Sequence, residues 1–204
     1  MTINNHLVFQ DNGSPYSKKF DDIYFDCNTG ITQSKHIFID GNNIVQRLRQ
    51  AKANFIIAET GFGTGLNFLL TLQAYQQAQI AIQKIPDSPE INNLTFISIE
   101  KYPLTRSQLK HTLQSLPELT KESASLIAQY PEQPQGECKL FFLSGKITLH
   151  LIFSDVSQAL TQLAKNKKTK IDAWYLDGFS PRKNPDMWSQ NLFEIIARLS
   201  KDQA

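Results

Sequence analysis

Residues 55–67 read Phe55-Ile56-Ile57-Ala58-Glu59-Thr60-Gly61-Phe62-Gly63-Thr64-Gly65-Leu66-Asn67. The apolar run Phe55–Ala58 has the length and β-branched content of a buried strand. It ends at an acid, Glu59, and is followed by three glycines at alternate positions, Gly61, Gly63 and Gly65. Leu66, Phe68, Leu69 and Leu72 then recur at helical spacing, so a helix starts inside the glycine run. Strand, glycine-rich turn and helix is the arrangement by which an α/β protein brings its backbone against a nucleotide-like ligand. Glycine suits the turn because it tolerates positive φ and has no Cβ to hold a ligand away.

Working outward, Leu94–Ile99 is a second buried-type strand, and it too ends in an acid, Glu100. Leu140–Leu143, a Ser-Gly-Lys turn and Ile147–Phe153 predict a hairpin whose second arm leads to Asp155. Ile171–Leu176 is a further strand, ending at Asp177-Gly178. Helices are expected over Ile44–Lys52, from the glycine turn to about Gln79, from Pro103 through His111, within Pro117–Tyr130, over Val156–Ala164, and up to about Leu199. Lys84–Asn93 and Pro131–Glu137 read as connections. This alternation predicts an α/β fold, a mostly parallel sheet with helices on both faces. Residues 1–43 read as a β-rich preface. Leu7-Val8-Phe9 and Ile37-Phe38-Ile39 are expected strands, and Asp11-Asn12-Gly13 is a turn signal. Between them Tyr16–Phe25 mixes aromatics with charges without a clean period, which on pattern alone favours a surface loop over a flap.

The chain has 204 residues, 41% hydrophobic and 20% charged, enough for one domain with a real core. It contains no apolar run of membrane-spanning length and no signal-peptide pattern at its start. Cys27 and Cys138 lie far apart without metal spacing, which points to a reduced, cytoplasmic compartment. The net charge of +2 permits a nucleic-acid partner without arguing for one. From Lys139 onward ten Lys/Arg face six Asp/Glu, a bias that by itself describes a solvated surface. The histidines form no metal or triad pattern, and no metal site is expected.

In an open α/β sheet the ligand sits beyond the carboxyl ends of the strands. Four expected strands deliver an acid there: Glu59, Glu100, Asp155 and Asp177. One such acid is an ordinary loop residue; four make a shared site the better reading. A dinucleotide fingerprint needs a third glycine where Leu66 stands, and a P-loop needs a lysine at that same place. Glu59 would also repel a pyrophosphate while suiting a cationic or amino-bearing ligand.

Glu-x-Gly-x-Gly-x-Gly, with an acid closing the next strand, resembles the S-adenosylmethionine site of class I methyltransferases, a Rossmann-like fold. The segments E-T-G-F-G-T-G-L-N-F-L (59–69), F-I-S-I-E-K-Y-P-L-T-R (96–106) and D-A-W-Y-L-D-G-F-S-P-R-K-N-P-D-M-W (172–188) are similar, in order, to the methyltransferase domain of the MnmC-type tRNA modification enzymes. The preface S-K-K-F-D-D-I-Y-F (17–25) resembles that family as well.

The resemblance implies S-adenosylmethionine as cofactor, no FAD, and tRNA as partner. The implied reaction is methyl transfer to the amine of 5-aminomethyl-2-thiouridine at the wobble position. It implies cofactor contacts from Glu59, Gly61, Phe62, Gly63, Gly65, Leu66, Asn67, Glu100, Lys101, Asp155 and Asp177. Glu100 would take the ribose hydroxyls, and Asp155 would lie near the adenine. Asp177 is the expected catalytic residue, aiming the amine lone pair and receiving or relaying its proton; a loop cap before Pro181 is the alternative. Phe179, Tyr24, Pro181, Arg182 and Lys183 are the expected substrate residues. Phe179 as a packed loop aromatic is nearly as good a reading, and without the resemblance Tyr24 and Phe25 read as core. Asn184 and Pro185 are expected to shape the loop. Lys165, Lys167, Lys168 and Lys170 are candidates for phosphate contact.

The chain divides into an extension (residues 1–43) and a methyltransferase core (residues 44–204). The family domain continues past Ala204 with another parallel strand and a hairpin, and a flavin-dependent oxidase domain follows in many members. The chain is therefore expected to behave as a fragment less stable than the full domain, with Ile171–Leu176 left as an edge strand. Two alternatives stand beside methyl transfer: a nicotinamide-dependent oxidoreductase, disfavoured by Leu66, and a fragment that binds ligand or tRNA without turnover.

Overall fold

The computed structural model describes residues 6–85, 90–166, 169–202 and 204. The apolar runs form the strands expected of them. Phe55–Glu59 (β4), Leu94–Ile99 (β5), Ile147–Phe153 (β7) and Ala173–Tyr175 (β8) join Gly136–Phe142 (β6) in one sheet. Its order is β6-β7-β5-β4-β8, parallel throughout except for β6, which closes the β6–β7 hairpin. A separate antiparallel sheet comprises Leu7–Phe9 (β1), Pro15–Ser17 (β2) and Asp22–Ile23 (β3).

The α-helices are Gly30–Ser34 (α1), Ile44–Gln50 (α2), Leu66–Gln83 (α3), Arg106–Leu113 (α4), Thr120–Gln129 (α5), Val156–Ala164 (α6) and Gln190–Leu199 (α7). They divide between the two faces. Strand side chains alternate sides, so Phe55 and Ile57 of β4, Leu94 and Phe96 of β5 and Tyr175 of β8 bury with Phe68, Leu69 and Leu72 of α3. Ala58, Ile97 and Ile99 point the other way, against Leu160 of α6 and Leu192, Ile195 and Ile196 of α7. The first turns of α3 are buried almost all round because α2 and α5 flank the helix on the sheet.

Several expectations are corrected. Ile37–Ile39 is not a strand; it lies in a π-helical turn, Lys35–Asp40. Ile37 is 56% exposed while Ile39 is buried, a split that two residues on one face of a strand would not show. Tyr16–Phe25 is not an irregular loop, because it supplies the middle and edge strands of the small sheet. Among its described residues the preface thus combines short strands with helical turns. The helix after the glycine turn runs four residues past Gln79, and residues 86–89 of the expected connection lie outside the described residues. The last strand is shorter than Ile171–Leu176. Ile171 instead makes an isolated parallel bridge to Ser200, its N–H donating to the Leu199 carbonyl at 2.8 Å. Among the described residues β8 has no other outer neighbour.

Candidate active site

At the carboxyl edge of the sheet, four loops surround a cavity of about 410 Å³, within the size range of small-molecule sites. The glycine turn supplies Gly61, Phe62, Gly63, Leu66 and Asn67, the β5 end supplies Glu100 and Lys101, and the β7 end supplies Asp155. The β8 end supplies Asp177 and Phe179, with Lys183 further along the same loop. Tyr24 and its neighbours in the small sheet close the remaining side.

The glycines have distinct local reasons. Gly63 and Gly65 have φ of +52° and +76°, where a Cβ is strained. At Gly65 a Cβ would also stand 2.8 Å from the Phe62 ring, which is itself stacked on Tyr130. At Gly61 it would stand 3.1 Å from the Asp177 carbonyl oxygen, so this glycine lets the first and last loops of the site approach each other.

Each acid is held differently. Glu100 accepts the Gly63 N–H at 2.9 Å on one oxygen and the Tyr102 N–H at 2.7 Å on the other, which ties the β5 end to the glycine turn. Burial pushes its carboxyl up, and those backbone bonds oppose the shift. With about four lone-pair sites on its carboxylate, Glu100 retains acceptor capacity for a further donor. Asp155 caps α6, accepting the Ser157 N–H at 3.0 Å, and its other oxygen pairs with Lys101 at 2.9 Å. Burial raises Asp155, but the lysine and the cap bonds outweigh it and leave the carboxyl below its ordinary range. Asp177 is half-buried. Its carboxylate accepts the Gly178 N–H at 2.8 Å and an Asn67 amide hydrogen at 2.6 Å, and its backbone carbonyl accepts the Thr60 hydroxyl at 2.8 Å. Burial raises its pKa against both carboxylate bonds.

Glu59 differs from the other three acids. It is 1% exposed and does not line the cavity, and it lies beneath Asn67. Burial pushes its carboxyl up to about 8. Gly65 also stands back from the cavity as the N-terminal cap of α3.

Of the expected substrate residues, Phe179, Tyr24 and Lys183 line the cavity, whereas Pro181 and Arg182 do not. Phe25 is core, at 5% exposure. Lys165 and Lys170 sit at the opposite edge of the sheet, one at the end of α6 and the other just before β8, with Lys170 bonded to the Arg198 carbonyl; Lys167 and Lys168 lie outside the described residues.

Beyond the expected Tyr24 and Lys183, pattern reading missed Lys19, Phe20, Asp21 and Asp22, by which the small sheet latches onto the site. Phe20 stacks on Phe179, Tyr24 meets Phe179 edge-on at 5.4 Å, and Lys19 sits 4.0 Å over the Tyr102 ring. Lys183 donates to the Asp21 carbonyl and stands 3.5 Å from the Asp22 carboxylate. The available signal was the mixture of aromatics and charges in residues 16–25, which describes a flap as well as a loop. Among the described residues, no cluster of three or more His, Cys, Asp or Glu could hold a metal ion. Both cysteines are free thiols, and no described helix is long and apolar enough to cross a membrane.

Comparison with known proteins shows what the chain resembles. A family model described as S-adenosyl-L-methionine-dependent methyltransferase matches residues 117–204. Over 97% of its length the chain is 42% identical to the tRNA 5-methylaminomethyl-2-thiouridine biosynthesis bifunctional protein MnmC of Aeromonas hydrophila subsp. hydrophila. The chain is thus similar to this methyltransferase family over residues 117–204 and, over nearly its whole length, to a part of the bifunctional relative. It spans 29% of the length of that bifunctional relative. The crystal structure of MnmC2 from Aquifex aeolicus matches 98% of this chain and 58% of its own, with a TM-score of 0.68 at 20% identity, so the likeness there is one of fold. The methyltransferase fold thus accounts for the parallel sheet, the glycine turn and the cavity at its carboxyl edge.

Proposed function

We propose that the cavity binds S-adenosylmethionine and that the domain methylates the primary amine of 5-aminomethyl-2-thiouridine at the tRNA wobble position. The product would be 5-methylaminomethyl-2-thiouridine. The observation that carries this reading is the placement of the Asp177 carboxylate on a cavity walled by the glycine turn and Glu100. The name of the Aeromonas relative supplies the acceptor.

The residues fit the cofactor. Gly63 keeps the wall free of a side chain, Glu100 retains acceptor capacity for ribose hydroxyls, and Phe62, Leu66, Asn67, Lys101 and Asp155 complete the pocket. When bound, S-adenosylmethionine supplies a methyl group on a positively charged sulfur, a charge that suits an acid-rich pocket. Asp177 then accepts an N–H from the incoming amine, directs its lone pair inward and receives the proton released as the new N–C bond forms and the methyl–sulfur bond breaks, leaving the sulfur as a neutral thioether. Burial raises its pKa, which favours proton uptake relative to an exposed aspartate. Phe179 and Tyr24 offer aromatic faces to an unstacked base, and Lys183 a positive charge beside it. Arg182, exposed on the same loop, is proposed to meet a phosphate rather than the base. The compartment proposed is the cytoplasm, where tRNA is modified and free thiols persist.

The test is transfer of labelled methyl to tRNA carrying aminomethyl-thiouridine, with wild type and Asp177→Ala. The expected result is transfer by wild type and a loss of at least about 100-fold in the variant. Transfer surviving the substitution would remove Asp177 from the mechanism. Calorimetric binding of NAD in place of S-adenosylmethionine would overturn the cofactor assignment.

A further inference from the structure

Four polar side chains lie where the α3 face of the sheet should be apolar. Along β4 the residues facing α3 are Phe55, Ile57 and, two further on, Glu59. Along β5 they are Leu94, Phe96 and Ser98, and the parallel register sets Ser98 directly beside Glu59. From above, α3 lowers Asn67 and, one turn later, Thr71 onto this row. The Ser98 hydroxyl donates to one Glu59 oxygen at 2.6 Å, and the Asn67 amide nitrogen donates to the other at 2.9 Å. The second hydrogen of the same nitrogen goes to the Asp177 carboxylate at 2.6 Å. Thr71 donates to the Asn67 carbonyl at 2.7 Å and meets the Tyr175 hydroxyl at 3.2 Å, so the anchor is itself anchored.

We infer that Glu59 is a positioning residue that acts through Asn67 to fix the Asp177 carboxylate, and that it makes no contact with the ligand. The inference rests on the reading of Asp177 given above. A single amide nitrogen clamped between two carboxyl groups cannot rotate without losing both bonds, and Asn67 is only 4% exposed. The clamp also fixes which end of the amide is which. The nitrogen is committed to the acids, and the oxygen has no partner among the described residues. A buried carboxyl beneath the catalytic one would be a liability were it charged. Its environment holds it neutral near pH 7, so Glu59 places no second negative charge directly beneath the Asp177 carboxylate. On the α3 side the titratable neighbours of this pair are Glu100 and Tyr175. Across the cavity stand Lys101, Asp155, Lys183 and Asp186.

The inference is tested by following the Asp177 carboxyl carbon through a pH titration by ¹³C NMR, its resonance identified by its loss in Asp177→Asn. Because the Asn67 bond favours the charged form, Asn67→Ala and Glu59→Leu should move the midpoint upward by about half a unit or more. Glu59→Gln, which can still accept from Asn67 and donate to Ser98, should restore it. In the methyl-transfer assay Glu59→Leu should lower kcat about tenfold while the Kd for S-adenosylmethionine stays within about threefold. Should Glu59→Leu fail to fold, Asn67→Ser, polar but too short to span both acids, carries the titration. An unmoved midpoint in folded Asn67 and Glu59 variants overturns the inference, as does a large loss of cofactor affinity in Glu59→Gln. The titration needs neither cofactor nor tRNA. A shifted midpoint in a protein that transfers no methyl would fault the methyltransferase reading and leave the clamp standing.

Discussion

The Phe179 ring lies flat on that of Phe20, with centroids 4.5 Å apart and planes inclined by 22°. Two rings at that separation leave no room for a third, since each aromatic contact needs about 3.5 Å. A base that stacks on this face of Phe179 must therefore displace Phe20, and with it the end of the small sheet. Phe179→Ala should raise the KM for tRNA about tenfold, the scale of one base-stacking contact. Phe20→Ala should leave that KM unchanged or lower it, because it removes a competitor for the same surface. Steady-state kinetics with both variants checks this. An equal rise in both would mean that Phe20 belongs to the binding surface.

The glycine turn makes a steric prediction. Gly65 holds φ at +76°, and a methyl group there would meet both Phe62 and Leu126. Gly65→Ala should destabilise the fold by about 1–3 kcal/mol, combining backbone strain with displacement of a buried ring. Gly61→Ala has ordinary backbone angles and meets only the Asp177 carbonyl, so it should be milder in stability yet still impair methyl transfer. Urea unfolding and the transfer assay separate the two effects. Equal losses of stability would contradict the assignment.

Much of this site is legible in the chain, because strand-ending acids and a glycine run are local signals. The apolar stretches at β4, β5 and β7 and the start of α6 fall where their composition puts them. Three consecutive apolar residues at Ile37–Ile39 carry no period and suit a strand or a helical turn equally; only in the folded chain does Phe38 meet the Tyr175 ring. The role of Ser98 could not be read, because it depends on the β4–β5 register that pairs it with Glu59. The Phe20–Phe179 stack joins residues 159 positions apart, a tertiary fact with no local trace. Glu59 shows both sides: its position at the end of β4 marked it as a site residue, but only strand parity reveals that it faces α3 rather than the cavity.

Glu59 also makes stability depend on pH. Its carboxyl titrates near 4.5 when unfolded and near 8 when folded, so between those values the native state binds more protons than the unfolded state. Stability should then fall as pH rises through that window, by at most about 1.4 kcal/mol per pH unit from this group. Glu59→Gln removes the titration. Its melting temperature should match or exceed that of wild type at pH 8, with the difference shrinking toward pH 5. Thermal unfolding across that range checks the sign; a wild type that gains on the variant as pH rises would show Glu59 to be charged when folded.

Asp155 titrates in the opposite sense. Its carboxyl caps α6 and pairs with Lys101, and it lies below the ordinary carboxylate range in the folded protein. The charged form is therefore favoured by folding, and its contribution is present above the unfolded pKa and lost as pH falls through the folded one. Asp155→Ala should cost about 1 kcal/mol at pH 7, the usual scale of a lost N-cap. Asp155→Asn should cost less, because the amide oxygen can still accept from the Ser157 N–H. The gap between Asp155→Ala and wild type should narrow as the pH is lowered below about 4. Both variants should keep the Asp177 titration unchanged, since no bond connects the two acids. Denaturant unfolding at several pH values measures the first effect and the Asp177 midpoint the second. A penalty for Asp155→Ala that persisted undiminished at low pH would assign the cost to packing rather than to the charged cap.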